Sequence, residues 1–186
     1  MPVIKVTLIE GYDGDTVQRL AERLTDAVRS TIAAPPEGIT VIAEEVKPTS
    51  YMRGGQARVP GPPIPGAVDV ARDFLARMEA RDLAGARTHL AETFEMTFPS
   101  GRRMTDLADL VAWSRTRYAR VAKTIEGWDE GFQGARAVVS CRGTLSGEWL
   151  DGTAFSGIRF YDRFELLGGK IVKQEVWNDM AEHRAR

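Results

Sequence analysis

Two positions in this 186-residue chain could do chemistry through residue type and setting. The first is Pro2. Aminopeptidases remove an initiator Met that precedes a small residue, which would leave Pro2 as a secondary amine at the chain start. An α-amino group titrates at about pH 7.7–8.0, and burial or a nearby cation lowers that value. Such an amine is a general base at neutral pH, able to move a proton between carbon atoms, and it could also form an iminium with a carbonyl. The second is Asp162 in FYDRF, with Phe160 and Phe164 at strand spacing of two on either side. A carboxyl on that face would be desolvated; on the other face it would pair with a neighbouring arginine. Histidines are few and far apart, His89 and His183, and with the single Cys141 they offer no zinc-ligand spacing.

These residues must be positioned by two unlike segments. RVPGPPIPG, residues 58–66, holds four of the nine prolines and reads as an extended connector between a module at 1–57 and a domain at 67–186. In the first, residues 3–11 alternate as a strand. Asp13 or Asp15 caps a helix over 16–33 with Val17, Leu20, Leu24, Val28 and Ile32 on one stripe, and ITVIAEEV (39–46) is a second strand. Strand, helix and strand of these lengths make a right-handed parallel βαβ unit. So few residues bury little surface and leave sheet edges open, so the module should self-associate.

In the second segment, helices are expected at 67–81, from Asp82 to about Leu90, and from Thr105 to Val121, with a strand at 93–99 before the last of them. Strands at 124–133, 135–146, 153–167 and 170–179 follow, joined by turns at Gln133-Gly134, Asp151-Gly152 and Gly168-Gly169. The fold class is α+β: a βαβ module fused to helices packed on a long antiparallel sheet.

Composition narrows the partners. Twenty-five basic residues against 26 acidic ones, a net charge of −1, give no reason to expect nucleic acid. No apolar run reaches the roughly 20 residues of a membrane span. A lone cysteine suits a reducing compartment, so a cytoplasmic location is expected.

Residues 2–56 resemble the 4-oxalocrotonate tautomerase family. The likeness rests on Pro2, the strand ending Leu8-Ile9-Glu10-Gly11, the helix closing on Ala34-Pro35, the strand ITVIAEEV, and Gly54-Gly55 after Tyr51. It implies an oligomer of βαβ subunits with Pro2 as base in a pocket between subunits and Tyr51 as an aromatic wall. Relatives acting on dicarboxylates carry arginines where this chain has Tyr12 and Thr40. A phenol and a hydroxyl cannot grip carboxylates bidentately, which leaves Arg53 and Lys5 as the available cations.

Residues 67–186 resemble the SnoaL-like branch of the nuclear transport factor 2-like (NTF2-like) superfamily, through FLARMEARDLAGARTHLAETFEMTFPSG (74–101) and RFYDRFELLGGKIVKQEVWND (159–179). This resemblance implies a cone of curved sheet around an apolar pocket. Asp162 falls where enzymatic relatives such as ketosteroid isomerase carry an acid. Phe74 and Phe98 stand where that isomerase has its tyrosine donor and its base, so its own chemistry is not expected here. Asn178, at the end of the last strand, is placed to reach the pocket mouth.

The leading expectation is an isomerase of tautomerase type. Pro2 would move a proton α to a carbonyl, Tyr51 and Arg53 would orient the substrate, and the cone would bind a small apolar carbonyl compound. No metal or organic cofactor is implied, and a homo-oligomer is expected. The rival is a module used only for assembly, with the cone as a binding module or as the sole catalytic site through Asp162.

Overall fold

The computed structural model describes residues 1–184, and the chain divides into two compact units, Met1–Pro63 and Ile64–Arg186. In the first, β1 (Val3–Ile9) and β2 (Thr40–Val46) pair in parallel, from Val3 opposite Thr40 to Ile9 opposite Val46. The crossover is α1 (Gly14–Arg29), capped by Asp13, whose carboxylate accepts from the Thr16 N–H at 2.7 Å. The helix stops earlier than its apolar stripe suggests, because Ser30 Oγ donates to the Ala27 carbonyl and Pro35-Pro36 forbid a continuation. A hairpin follows, β3 (Met52–Arg53) and β4 (Gln56–Ala57), turning through Gly54 and Gly55 at φ of 61° and 75°, where glycine has no steric penalty. None of residues 1–63 is buried. Val3 and Ile42, facing away from α1, are 58% and 42% exposed.

The second unit opens with α2 (Ala67–Glu79) and α3 (Leu83–Arg87), the latter capped by Asp82 on the Gly85 N–H. Next come β5 (Leu90–Phe98), β6 (Arg102–Met104) and α4 (Leu107–Ser114). The sheet is completed by β7 (Arg120–Gln133), β8 (Arg136–Glu148), β9 (Ala154–Leu167) and β10 (Lys170–Asn178), before a last turn of helix, α5 (Met180–Arg184). Its order is β6-β5-β10-β9-β8-β7, antiparallel throughout except for β5 beside β10. Bulges at Ile125/Gly127, Leu145/Gly147 and Ile171/Lys173 bend the strands, and the helices fill the concave side. Gly143 marks the tightest approach: a Cβ there would meet the Thr124 carbonyl oxygen at 1.9 Å.

One element differs from the sequence pattern in a way that matters for the pocket. α4 ends at Ser114 and is capped by Asp106, not Thr105, so Tyr118 and Val121 lie beyond the helix. The hydroxyls of Ser114 and Thr116 take the carbonyls of Val111 and Trp113, and Ala119 donates to Glu148 to begin sheet pairing. Tyr118 is thereby placed in the lining of a pocket in the second unit.

Candidate functional site

Each unit positions its own set of candidate residues. In the first, Pro2 leads directly into β1, and its carbonyl accepts from the Thr40 N–H at 3.1 Å. Pro2 and Thr40 therefore share one end of the ladder. Lys5 sits along the ladder opposite Ile42, on the exposed face with Val3 and Thr7. Tyr12, Tyr51 and Arg53 lie at the other end. Glu10 donates to Val46 there, and the space over Gly11 is filled by Pro60, three residues after the hairpin. Six strand steps at about 3.3 Å separate the two ends, roughly 20 Å. Within one copy, then, the proline and the Tyr51–Arg53 hairpin stand apart. With Met1 in place the Pro2 nitrogen is a tertiary amide and no base.

In the second unit, a pocket of about 120 Å³ is walled by Phe74, Leu75, Met78, Phe98, Leu110 and Val121. Six polar side chains interrupt that wall: Glu79, Arg81, Ser114, Tyr118, Lys123 and Gln174. Burial pushes the Tyr118 phenol up from its ordinary value, against a smaller opposing effect of the Ser114 hydroxyl. Asp162 is 0% exposed, facing inward between Phe160 and Phe164, yet it is not part of the pocket wall. It is joined to two residues that are. Its Oδ2 accepts from Lys123 Nζ in a short charge-assisted bond, and Gln174 Nε2 approaches the same oxygen at 3.5 Å. Lys123 also lies 4.6 Å from the centre of the Phe160 ring. Asp162 Oδ1 and Gln174 Oε1 are buried without a hydrogen-bond partner among the described residues.

Cys141 is the register partner of Asp162 and lies at its side, fully buried. Desolvation, reinforced by the Asp162 charge, pushes its thiol up to about 12. Asn178 ends β10, where its Oδ1 accepts from the Met180 N–H at 3.2 Å and starts α5. His89 is satisfied by Asp73 at 2.6 Å, in a cluster with Arg77 and Asp82 that ties α2 to α3. No group of three or more metal-ligating side chains occurs among the described residues. No described helix is long and apolar enough to cross a membrane.

Lys123 and Gln174 were not among the residues the sequence pointed to. A signal for Lys123 existed: it occupies the middle of Val121-x-Lys123-x-Ile125, an inward-facing alternation broken by a single cation. Gln174 had none, because the bulge between Ile171 and Lys173 resets which face it takes.

The architecture is that of a βαβ module joined to an NTF2-like cone. Solved structures share the cone: an NTF2-like protein from Burkholderia pseudomallei aligns at a TM-score of 0.52 and 22% identity, over 64% of this chain and 95% of that one. TerC, crystallised with polyporic acid, gives 0.54 at 19% identity over 64% and 95%. A Jannaschia sp. protein assigned as a SnoaL-like polyketide cyclase gives 0.50 at 16% over 64% and 89%. At these identities the likeness is one of fold. For the first unit, residues 2–58 match the model of the family described as "Tautomerase enzyme". A "Probable tautomerase" of Listeria innocua is 40% identical over 55 residues, 30% of this chain and 90% of that protein. One of Halalkalibacterium halodurans is 39% identical over 56 residues, 30% and 92%. The chain belongs to the tautomerase family through its N-terminal module.

Proposed function

We propose that this chain is an isomerase-type enzyme in which Pro2, freed by removal of Met1, shifts a proton α to a carbonyl, while the cone binds a small apolar carbonyl compound. The observation that carries the reading is where the family match begins: at Pro2, the residue whose carbonyl Thr40 fixes at the head of the β1–β2 ladder. An amine at that point is held by the ladder. The pyrrolidine nitrogen takes the proton from the enol oxygen or from the α-carbon and returns it at the other end of the three-atom system, so the substrate gains and loses one proton.

Tyr51 and Arg53 serve as the wall and the anion contact, supplied by a neighbouring copy, since in the same copy they stand at the far end of the ladder. Lys5 is the second cation. Tyr12 and Thr40 carry no positive charge, so the substrate has at most one carboxylate to be gripped, by Arg53. In the cone, Asp162 holds the Lys123 ammonium at the pocket wall, whereas Asn178 caps the start of α5 and does not line the pocket.

The test is ketonisation of the enol of phenylpyruvate by natively processed chain, with intact mass recording loss of Met1. Turnover that survives in a chain retaining Met1 would remove Pro2 from the reaction. A second reading makes the βαβ module an assembly device and places all chemistry in the cone, with Asp162 as its acid. The buried, half-satisfied carboxylate favours it.

A further inference from the structure

The pocket in the cone has a hydrogen-bonding position that nothing in the protein fills. Gln174 lines it and is only 4% exposed, so its amide has no access to bulk water. The NH₂ group is turned toward Asp162, which leaves Oε1 as an acceptor without a partner. Buried amide oxygens are seldom left in that state. Beside it on the same wall, Lys123 Nζ has three N–H groups. One goes to Asp162 and the Phe160 ring covers another side, so a donor remains for the pocket. Because both side chains converge on Asp162 Oδ2, the free acceptor and the free donor are held as a pair.

A hydroxyl group satisfies both: its O–H donates to Gln174 Oε1 and its oxygen accepts from Lys123. A plain carbonyl would use only the lysine. A carboxylate would face an unpaired amide oxygen, and Lys123 beside it is already paired with Asp162, while Glu79 and Arg81 add one charge of each sign to the lining. Six of the lining side chains are apolar, and at about 120 Å³ the pocket is smaller than the dry cavity of about 150 Å³ that holds benzene, so it takes at most a single six-membered ring.

We infer that the cone pocket is a binding site for a neutral six-membered-ring ligand bearing a phenol or enol hydroxyl, read jointly by Gln174 Oε1 and Lys123 Nζ, with Asp162 positioning both. This rests on the cone being a ligand pocket, the second half of the function proposed above, and is independent of Pro2.

Phenol, anisole and toluene are the probes, titrated into the full chain by protein-observed NMR. Anisole keeps the ring and the accepting oxygen but cannot donate. The wild-type protein should bind phenol about tenfold or more tightly than anisole, one hydrogen bond's worth, with shifts centred on β7 and β10. Gln174→Met keeps the side-chain length and removes the acceptor, so phenol and anisole should then bind within twofold of each other. Equal binding of phenol and anisole to wild type, no binding of either, or a preference that survives in folded Gln174→Met would each overturn the inference. If Gln174→Met does not fold, the wild-type comparison decides alone. Pro2→Ala should leave these affinities unchanged, and a failed titration leaves ketonisation by Pro2 intact, so the two readings fail separately.

Discussion

Lys123, on β7, reaches across β8 to bond Asp162 on β9, although its own register partner is Leu145, which in turn faces Ile158. The contact is diagonal and lies inside the cone, with the aspartate at 0% exposure and the lysine side chain at 24%. Removing one partner leaves the other as an uncompensated buried charge. Lys123→Met should therefore destabilise the cone by about 3–5 kcal/mol. Asp162→Leu combined with Lys123→Met should recover most of that loss, since apolar replacement of a whole buried pair is often neutral or better. Urea unfolding of the two variants measures both. A double variant no more stable than the single would show that the pair itself stabilises the cone.

Cys141, at the side of Asp162, gives a pH-dependent prediction. Its thiol is pushed up to about 12 from 9.0, mainly by desolvation. Between those values the unfolded chain has released the proton and the folded chain has kept it, so stability falls as pH rises, by about 1.4 kcal/mol per pH unit for this group. Below pH 9 both states hold the proton and no dependence arises from it. Chemical denaturation at pH 8, 9.5 and 10.5 should show the decline, and Cys141→Ala should flatten it. At pH 8 the native thiol should resist iodoacetamide, then label promptly in denaturant.

Much of the architecture was legible because it depends on periodicities that survive in any environment. The two-residue alternation around Asp162 placed Phe160, Asp162 and Phe164 on the buried side, and the 3.6-residue stripe from Val17 to Val28 marked the half-buried face of α1, beyond whose end Ile32 is exposed. Capping at Asp13 and Asp82 was readable for the same reason, since the local hydrogen bond needs no tertiary partner. What the sequence could not reveal was set by contacts between distant segments. The parallel pairing of β5 with β10 has no local signature. Neither has the end of α4, where Ala119 is captured by Glu148. In the site, Asp162 was visible through its aromatic flanks, but an arginine was the expected partner on the outer face. The arginine of that motif, Arg163, instead binds Glu165 and Glu175, while Asp162 turns inward to Lys123, 39 residues away. Gln174 was hidden by a bulge that changes the count of residues by one.

The first unit should assemble. With no buried residue among 1–63 and an exposed ladder face carrying Val3 and Ile42, the module alone lacks a core. Sedimentation at micromolar concentration should give at least a dimer, plausible stoichiometries being a trimer or hexamer. Ile42→Asp puts a charge on that face, opposite Lys5, and should shift the equilibrium toward monomer while the fold of the cone stays intact by near-UV circular dichroism. A stable wild-type monomer would remove the pocket between copies, and with it the contribution of Tyr51 and Arg53 to Pro2.

The sharpest separation of the two units comes from paired substitutions read on one reaction. Pro2→Ala keeps an amine once Met1 is gone but makes it primary and more mobile, so the base loses its fixed position. General-base contributions run at about 10²–10⁴-fold, and enol ketonisation should fall within that range without change in assembly or folding. Asp162→Asn removes the charge that holds Lys123 and lies in the other unit, so ketonisation should change by less than about twofold while ligand affinity in the cone changes. The opposite pattern, a silent Pro2→Ala and an inactive but folded Asp162→Asn, would place the chemistry in the cone. Silence of both across carbonyl substrates would leave the cone a binding module and the tautomerase module a means of assembly, because no base would then remain at either site.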